Sequence, residues 1–91
     1  MFYVVAYDLP DNKRRNRVFR LMKGYGVHTQ YSVFECELDN KEFTVMIRKL
    51  EKTIDRSEDN IKIYQLCKNC VEKVECRGKA VLNREEEVIV V

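Results

Sequence analysis

The chain contains few of the residues that several enzyme classes require. Among its 91 residues there is one histidine, His28, and there are three glycines. A single histidine leaves no spare base for a Ser-His-Asp arrangement, and a lone histidine on a strand is usually structural. The glycines form neither a phosphate-cradling loop nor a dinucleotide fingerprint. The sequence therefore disfavours triad hydrolases and nucleotide-binding enzymes of these types.

Long hydrophobic runs are also absent. No apolar segment approaches the roughly 20 residues that a membrane-spanning helix needs. The first residues lead directly into a charged stretch, which is typical of a strand rather than of a signal peptide. The chain shows no repeat, linker or low-complexity segment, and its length suits one domain. We therefore expect a single cytoplasmic domain over residues 1–91.

The four cysteines do not form a convincing zinc motif. Cys67 and Cys70 have the C-x-x-C spacing and Cys76 follows, but no second pair exists, and only Cys36 or His28 could supply a fourth ligand. A redox C-x-x-C normally opens a helix after the first strand of a thioredoxin-like unit, which is not the case here. In a reducing cytoplasm we expect free thiols or a conditional disulfide.

Positive charge is concentrated near the N-terminus, although the formal net charge is only +2. Residues 13–23 contain no acid, and the acids gather in the second half of the chain. Such a stretch is either an electrostatic footprint for phosphates or a solvated helix face, and the pattern alone leaves both open. Its basic residues are Lys13, Arg14, Arg15, Arg17, Arg20 and Lys23.

The most informative stretch is residues 3–8, Tyr-Val-Val-Ala-Tyr-Asp. A strand that is apolar at nearly every position usually lies in the middle of a sheet. Asp8 would then be held at the rim of a rigid element, beside a cluster of guanidinium groups. This combination suggests a metal-dependent phosphodiester site, and the alternative is a core strand that ends in an acidic turn residue. Asp11 is a second candidate ligand, although helix capping explains it equally well.

A basic amphipathic helix is predicted from Asp11 or Asn12 to about residue 23. Arg14 and Arg15 fall on the flanks of its apolar stripe and are predicted to reach toward the sheet rim and Asp8. The remaining bases of the helix face solvent and suit an exposed phosphate track. The apolar stripe consists of Val18, Leu21, Met22 and Tyr25.

The rest of the chain alternates between strand and helix patterns. Residues 27–38 predict one long bent strand or two strands joined at a corner near residues 31–32. A helix follows over residues 40–54 and a half-buried strand over residues 61–66. Residues 67–80 are irregular or a short helical turn, and residues 87–91 form a last short strand.

With two strands in the middle, the order is β-α-β-β-α-β with one extra C-terminal strand. This is the α+β ferredoxin-like arrangement, an antiparallel sheet with two helices on one face. The other face would expose apolar residues, which favours sheet-to-sheet dimerisation. We expect residues 80–91, and residues 88–91 above all, to pair with the sheet edge of a partner chain.

Several motifs of the chain resemble those of one family, and they occur in order over nearly its whole length. They are Tyr7-Asp8-x-x-Asp11, Arg14-Arg15, Tyr25-Gly26, Gln30-Tyr31-Ser32-Val33-Phe34-Glu35 and Ile63-Tyr64-x-Leu66-Cys67-x-x-Cys70. Together they are similar to the second core CRISPR-associated protein, the small adaptation nuclease. Each motif is short, but their order and spacing make the resemblance specific.

The resemblance implies a ferredoxin-like homodimer in which Asp8 faces its twin across the two-fold axis and holds Mg²⁺. It implies cleavage of single-stranded RNA or double-stranded DNA, and bridging of two copies of the CRISPR integrase during spacer acquisition. One carboxylate per chain is a poor magnesium site, whereas two carboxylates with waters and phosphate oxygens are sufficient.

The other site residues follow from the helix pattern and from the resemblance. Arg14, Arg15 and Arg17 are candidates for catalytic charge stabilisation. Ser32 and Phe34 match family positions near the cleft, although Phe34 is better explained as a core residue than as one that stacks on a base. The nucleic-acid-binding candidates are Lys13, Arg17, Arg20, Lys23, Ser32 and Phe34.

Three other functions stay open at this point. A non-catalytic scaffold would hold duplex DNA through its basic helices while the integrase does the chemistry. A toxin-type ribonuclease would share the fold and the dimer. A plain RNA-binding module is weakened because the aromatic pairs that stack bases on a sheet are not evident.

Overall fold

A computed structural model describes residues 1–83. Its elements are β1 (Phe2–Asp8), α1 (Asn12–Lys23), β2 (Val27–Gln30), β3 (Val33–Glu37), α2 (Asn40–Thr53), β4 (Asn60–Leu66) and α3 (Lys68–Glu72). The predicted strand over residues 87–91, with its pairing to a partner, lies outside the described residues. Within residues 1–83, no helix is both long and apolar enough to cross a membrane.

The sheet confirms the predicted ferredoxin-like arrangement. Its strand order is β2-β3-β1-β4, and every neighbouring pair is antiparallel. Strand β1 is central, because Val5 pairs with Phe34 of β3 on one edge and with Ile63 of β4 on the other. This position explains why residues 3–7 are almost uniformly apolar.

Both long helices begin at an aspartate that caps the free backbone N–H groups of the first turn. The carboxylate of Asp11 accepts a hydrogen bond from the Arg14 backbone N–H at 2.9 Å. Asp39 and Glu42 form a reciprocal capping box, with hydrogen bonds of 2.7 and 3.0 Å. Such caps satisfy donors that the helix itself leaves unpaired, and they fix where each helix starts.

The core lies between the two long helices and one face of the sheet. Every second residue of β1 points into it, and the ring of Tyr3 stacks on Phe43 of α2 with a 4.2 Å centroid separation. Phe34 is fully buried there, at 0 % exposure, which corrects its candidacy for nucleic-acid binding. A ring without exposed surface cannot stack on a base, so the core interpretation of Phe34 holds. The other buried members are Val5, Tyr7, Leu9, Val18, Met22, Cys36, Leu38, Met46 and Leu50.

The opposite side of the sheet, which we call the open face, carries Val4, Ala6 and Asp8 of β1. The chain covers only part of it. Val71 of α3 is buried beside Phe2 at one end, and the Asn83 backbone and side chain both donate to the Glu35 carboxylate of β3 at 2.9 Å. The end of the open face that carries Asp8 stays accessible.

The middle β stretch consists of two strands, as one of the two interpretations predicted. They join at a tight corner where Tyr31 has a left-handed φ of 43° and an almost fully exposed ring. Before the corner, β2 passes very close to β3. A Cβ on Gly26 would lie 2.5 Å from both the Cys36 Sγ and the Glu35 carbonyl oxygen, so only glycine fits there.

We expect Gly26→Ala to lower the free energy of unfolding by about 1–3 kcal/mol, as overpacking of a tight contact does. The Glu35 carbonyl belongs to the sheet backbone and cannot move aside like a flexible side chain. Gly24→Ala is the matched control, because its nearest neighbour would lie 3.4 Å away. Urea unfolding of both variants measures the difference, and equal stability of the two would contradict this account of Gly26.

Candidate functional site

Asp8 is the last residue of β1 and its side chain is exposed on the open face. It lines an open cleft together with Ala6, Tyr7, Asn60 and Lys62. The ion pairs formed within residues 1–83 do not involve Asp8. Its carboxylate is therefore rigidly placed and accessible to an external cation.

Two polar residues of the cleft were not among the sequence candidates. Antiparallel pairing sets Asn60 opposite Asp8 and Lys62 opposite Ala6, and both side chains are exposed. Paired residues of neighbouring strands point to the same face, so an amide oxygen and a cation stand beside the carboxylate. The sequence carried no signal for them, because the register between β1 and β4 is set over more than 50 residues of chain.

Arg14 reaches the sheet rim, as predicted, but its partner is Asp59 rather than Asp8. The guanidinium donates to both Asp59 oxygens, at 2.8 and 3.1 Å, and lies 3.5 Å from Glu58. Asp59 also accepts the Asp55 backbone N–H at 2.8 Å. This network connects the start of β4 to the first turn of α1. The Arg14 guanidinium is therefore engaged in intramolecular contacts rather than directed at Asp8.

The pKa values of this pair follow from its geometry. Hydrogen bonding to Arg14 holds the pKa of the Asp59 carboxyl below its ordinary value, despite the opposing effect of burial. The same contact raises the pKa of Arg14. Both groups therefore stay ionised, and Asp59 is the residue that sequence reasoning missed most plainly.

Arg15 holds the turn that directly follows Asp8. Its guanidinium donates to the Leu9 carbonyl at 2.9 Å and to the Asn12 side chain. Burial raises the pKa of Tyr7. The contact with Ser32 and the positive charge of Arg15 both oppose this rise. Arg15 thus shapes the rim of the cleft.

Ser32 comes to the same rim from the β2–β3 corner. Its carbonyl accepts the Tyr7 backbone N–H at 3.0 Å, which joins the corner to the residue before Asp8. His28 supports this corner, with its Nε2 2.6 Å from the Tyr31 carbonyl oxygen and its ring against Phe19 and Phe34. These contacts agree with a structural role for the histidine.

The remaining bases of α1 form a separate, solvent-facing group. All four are exposed, and none takes part in an ion pair within residues 1–83. The Lys23 ammonium lies 5.6 Å from the Phe19 ring centroid, which is a cation–π contact at the C-terminal end of the helix. The group, named the α1 track here, consists of Lys13, Arg17, Arg20 and Lys23.

A single copy of the chain offers few ligands for a metal ion within residues 1–83. Residues 1–83 contain no cluster of three or more His, Cys, Asp or Glu residues suited to a metal, and this applies equally to the weak zinc pattern of Cys67, Cys70 and Cys76. Asp8 supplies one carboxylate and Asn60 one amide oxygen at the same end of the open face. These hard oxygen donors fit Mg²⁺ chemically, provided that further ligands come from water, substrate or a second chain.

Comparisons with known proteins agree on one family. The family model of the CRISPR associated protein Cas2 matches residues 1–74. The chain is 48% identical over 66 residues to the CRISPR-associated endoribonuclease Cas2 3 of Chloroflexus aurantiacus, which covers 72% of this chain and 71% of that relative. It is 37% identical to the CRISPR-associated endoribonuclease Cas2 of Thermus thermophilus, over 96% of this chain and 93% of the relative.

A solved structure shows the same likeness in three dimensions. The crystal structure of Streptococcus pyogenes Cas2 at pH 6.5 superposes with a TM-score of 0.75 and 36% identity. The match covers 86% of this chain and 100% of that chain. The fold of this chain is thus that of the solved relative.

Replacing Arg14 by Met is expected to destabilise the chain in a pH-dependent manner. The lowered pKa of Asp59 stabilises the fold fully above the unfolded carboxyl pKa of about 3.9, and this contribution is lost as the pH falls through the folded value. Urea unfolding at pH 7 should show a clear deficit against wild type that narrows below about pH 4.

Arg20→Met serves as the matched control, because Arg20 is exposed and forms no ion pair within residues 1–83. Its unfolding curves should follow wild type at both pH values. An Arg14→Met deficit that is equally large at low pH would instead assign the loss to packing of the side chain.

Proposed function

The chain belongs to the Cas2 family of CRISPR-associated proteins, and on this premise we propose that it is a magnesium-dependent endonuclease of spacer acquisition with Asp8 at its centre. The observation that carries the proposal is the position of Asp8. Its carboxylate is exposed, forms no ion pair within residues 1–83, and ends the most firmly held strand of the sheet.

The active form is a homodimer that joins two open faces. Val4 and Ala6 give this face an apolar centre, and Tyr64 adds a ring that is 51% exposed. Contact between two such faces would bury this surface and bring two Asp8 carboxylates to one axis. Residues 80–91 pair across the dimer in this proposal, since a free strand edge is a ready site for another strand.

Two carboxylates suit magnesium better than one does. The ion prefers six oxygen ligands and keeps several waters, so two Asp8 side chains would hold it together with water and phosphate oxygens. Bound there, it would supply an acidified water and offset the negative charge that develops on the phosphate. Asp8 would hold the ion, and the Lys62 cation in the same cleft would attract the substrate phosphate and offset its charge.

The arginines divide into positioning and contacting roles in this mechanism. Arg14 and Arg15 act as positioning residues, because Asp59 and the Leu9 carbonyl occupy their guanidinium groups. They keep α1 and the β1–α1 turn fixed around Asp8. Arg17 is exposed and remains available for direct contact with a phosphate, where its charge would stabilise the transition state.

A second candidate function is a dimeric scaffold that holds duplex DNA while the CRISPR integrase does the chemistry. The α1 track favours it, because four exposed cations without ion-pair partners in residues 1–83 are suited to a phosphate backbone. The two functions are compatible in one protein. The family match favours both over a toxin-type ribonuclease or a plain RNA-binding module.

We expect Asp8→Asn to abolish metal-dependent cleavage of labelled single-stranded RNA or duplex DNA. The loss should be roughly 10²-fold or more, since metal polarisation contributes several kcal/mol to the barrier. The assay compares Mg²⁺ with EDTA on both polymers and so identifies the preferred one. Asp11→Asn is the matched control, because asparagine also caps a helix well and the change removes the same charge.

The dimer requirement gives the same assay a second readout. If two Asp8 residues share one ion, the cleavage rate per chain should rise with protein concentration and then level off as dimers form. Cleavage by Asp8→Asn at the wild-type rate would overturn the proposed site. If wild type cuts neither polymer but binds DNA, the scaffold function replaces the nuclease.

The scaffold function makes a distinct prediction about salt. Removal of one cation that binds a phosphate should make the slope of log K against log salt less steep by about one, so Arg17→Ala and Arg20→Ala should each flatten it. Lys68→Ala is the charge-matched control, since Lys68 lies in α3 at the far end of β4 from Asp8. Fluorescence anisotropy of a duplex at several salt concentrations measures the slopes.

An equal effect of Lys68→Ala and Arg17→Ala would show that the duplex responds to net charge rather than to the α1 track. Asp8→Asn should leave the slope close to wild type or slightly steeper, because it removes a negative charge from the open face.

A further inference from the structure

A pair of cysteines at the start of α3 has no part in the proposed site. Cys67 is the single residue between β4 and α3, and Cys70 is the third residue of that helix. Both are exposed, and neither is in a disulfide within residues 1–83. The C-x-x-C segment therefore does open a helix directly after a strand, although this strand is the fourth and not the first.

The backbone brings the two side chains together. Cys67 has extended dihedrals (φ −71°, ψ 169°), and its carbonyl accepts the Val71 N–H at 2.9 Å, which closes one helical turn around the pair. Residues three apart in a helical turn have Cβ atoms about 5–6 Å apart, and a disulfide needs about 3.5–4.5 Å. Side-chain rotation and a closure of roughly 1–2 Å would therefore convert the dithiol to a bonded pair.

The two thiols differ in reactivity. The Cys70 backbone N–H and then the Cys70 thiol lie near the Cys67 sulfur and lower the pKa of Cys67. The same contact raises the pKa of Cys70, as donation to a neighbouring thiolate does. Cys67 is thus the better nucleophile of the pair at neutral pH, and Cys70 is placed to attack a sulfur bound to it.

The other cysteines provide a contrast within the same chain. Cys36 is fully buried in the core, and burial raises the pKa of its thiol to about 11. It should be inert while the chain is folded. Cys76 is exposed but lies beyond the end of α3, outside the turn that holds the pair.

We propose that Cys67 and Cys70 form a selective oxidation site, a dithiol that closes to an intramolecular disulfide on reaction with low-molecular-weight disulfides. The Cys67 thiolate attacks one sulfur of the small disulfide, which breaks that bond, forms a mixed disulfide and releases one thiolate. The Cys70 thiol then loses its proton and attacks the Cys67 sulfur, and the second small thiol leaves. The chain gives up two electrons and two protons, and the small disulfide is reduced to two thiols.

The disulfide would stiffen the connection between β4 and α3, the helix that covers one end of the open face. Val71, one residue after Cys70, is buried against Phe2 at the covered end of the open face. The segment that follows α3 continues to Asn83, whose backbone N–H donates to the Glu35 carboxylate of β3. Oxidation should therefore slow hydrogen exchange of the Val71 amide, whose hydrogen bond to Cys67 spans the closed turn.

The test treats the folded, reduced chain with oxidised glutathione near pH 7, blocks free thiols and maps the products by mass spectrometry. Cleavage after glutamate gives residues 59–72, which contain Cys67 and Cys70 and no other cysteine. We expect this peptide to lose two hydrogens. Trypsin cuts after Lys68, so residues 63–68 and 69–73 should stay joined until reduction.

Variants separate the steps. Cys70→Ser should stop the reaction at a glutathione adduct on Cys67, and Cys76→Ser should close the disulfide as wild type does. Three outcomes would each overturn the proposal. Cys67 and Cys70 could both be recovered as blocked, unoxidised thiols, both could carry separate glutathione adducts, or either could be bonded to Cys76. Modification of Cys36 at the same rate would overturn its selectivity. None of these outcomes bears on nuclease activity, so the proposed function is tested independently.

Discussion

Strand β1 is hydrogen-bonded along both edges, to β3 on one side and to β4 on the other, and its alternate side chains are buried under the helices. A shift of one residue would turn Tyr3, Val5 and Tyr7 out of the core, so the register is strongly held. Asp8 is fixed by this constraint, because it is the last residue of the strand. Ser32 and Arg15 bind the backbone immediately before and after it. The candidate site is thus an extension of the most firmly held part of the sheet.

Charge near this strand is divided between the fold and the solvent. Arg14 is neutralised by Asp59, and this ion pair joins α1 to β4. Breaking the pair is costly, because it would leave the buried Asp59 carboxylate without a partner. The exposed bases of the α1 track have no such partner within residues 1–83 and keep their field for an external anion. A single basic helix can therefore stabilise the domain with one flank and attract phosphates with another.

Much of the fold was predictable because its signals are local. The periodicity predicted both helices, which the structure shows over residues 12–23 and 40–53. Asp11 was one of two predicted caps for the first helix, and a corner near residues 31–32 was one of two interpretations of the middle β stretch. The identity of Asp8 as a rigid rim carboxylate followed from the strand that precedes it. The partner of Arg14 was not predictable, since Asp59 lies 45 positions away and resembles an ordinary loop residue. Phe34 was ambiguous because a strand pattern shows that a side chain is apolar, but not whether its face is covered.

The sequence by itself determined the elements, their order and the residue that ends the central strand, because these depend on neighbours three or four positions away or on strict alternation. The motifs also determined the family. Only the tertiary structure decided what surrounds those residues. It set Asn60 and Lys62 beside Asp8 through the β1–β4 register and engaged Arg14 with Asp59. Such contacts join segments far apart in the chain, and no local pattern of residues encodes them.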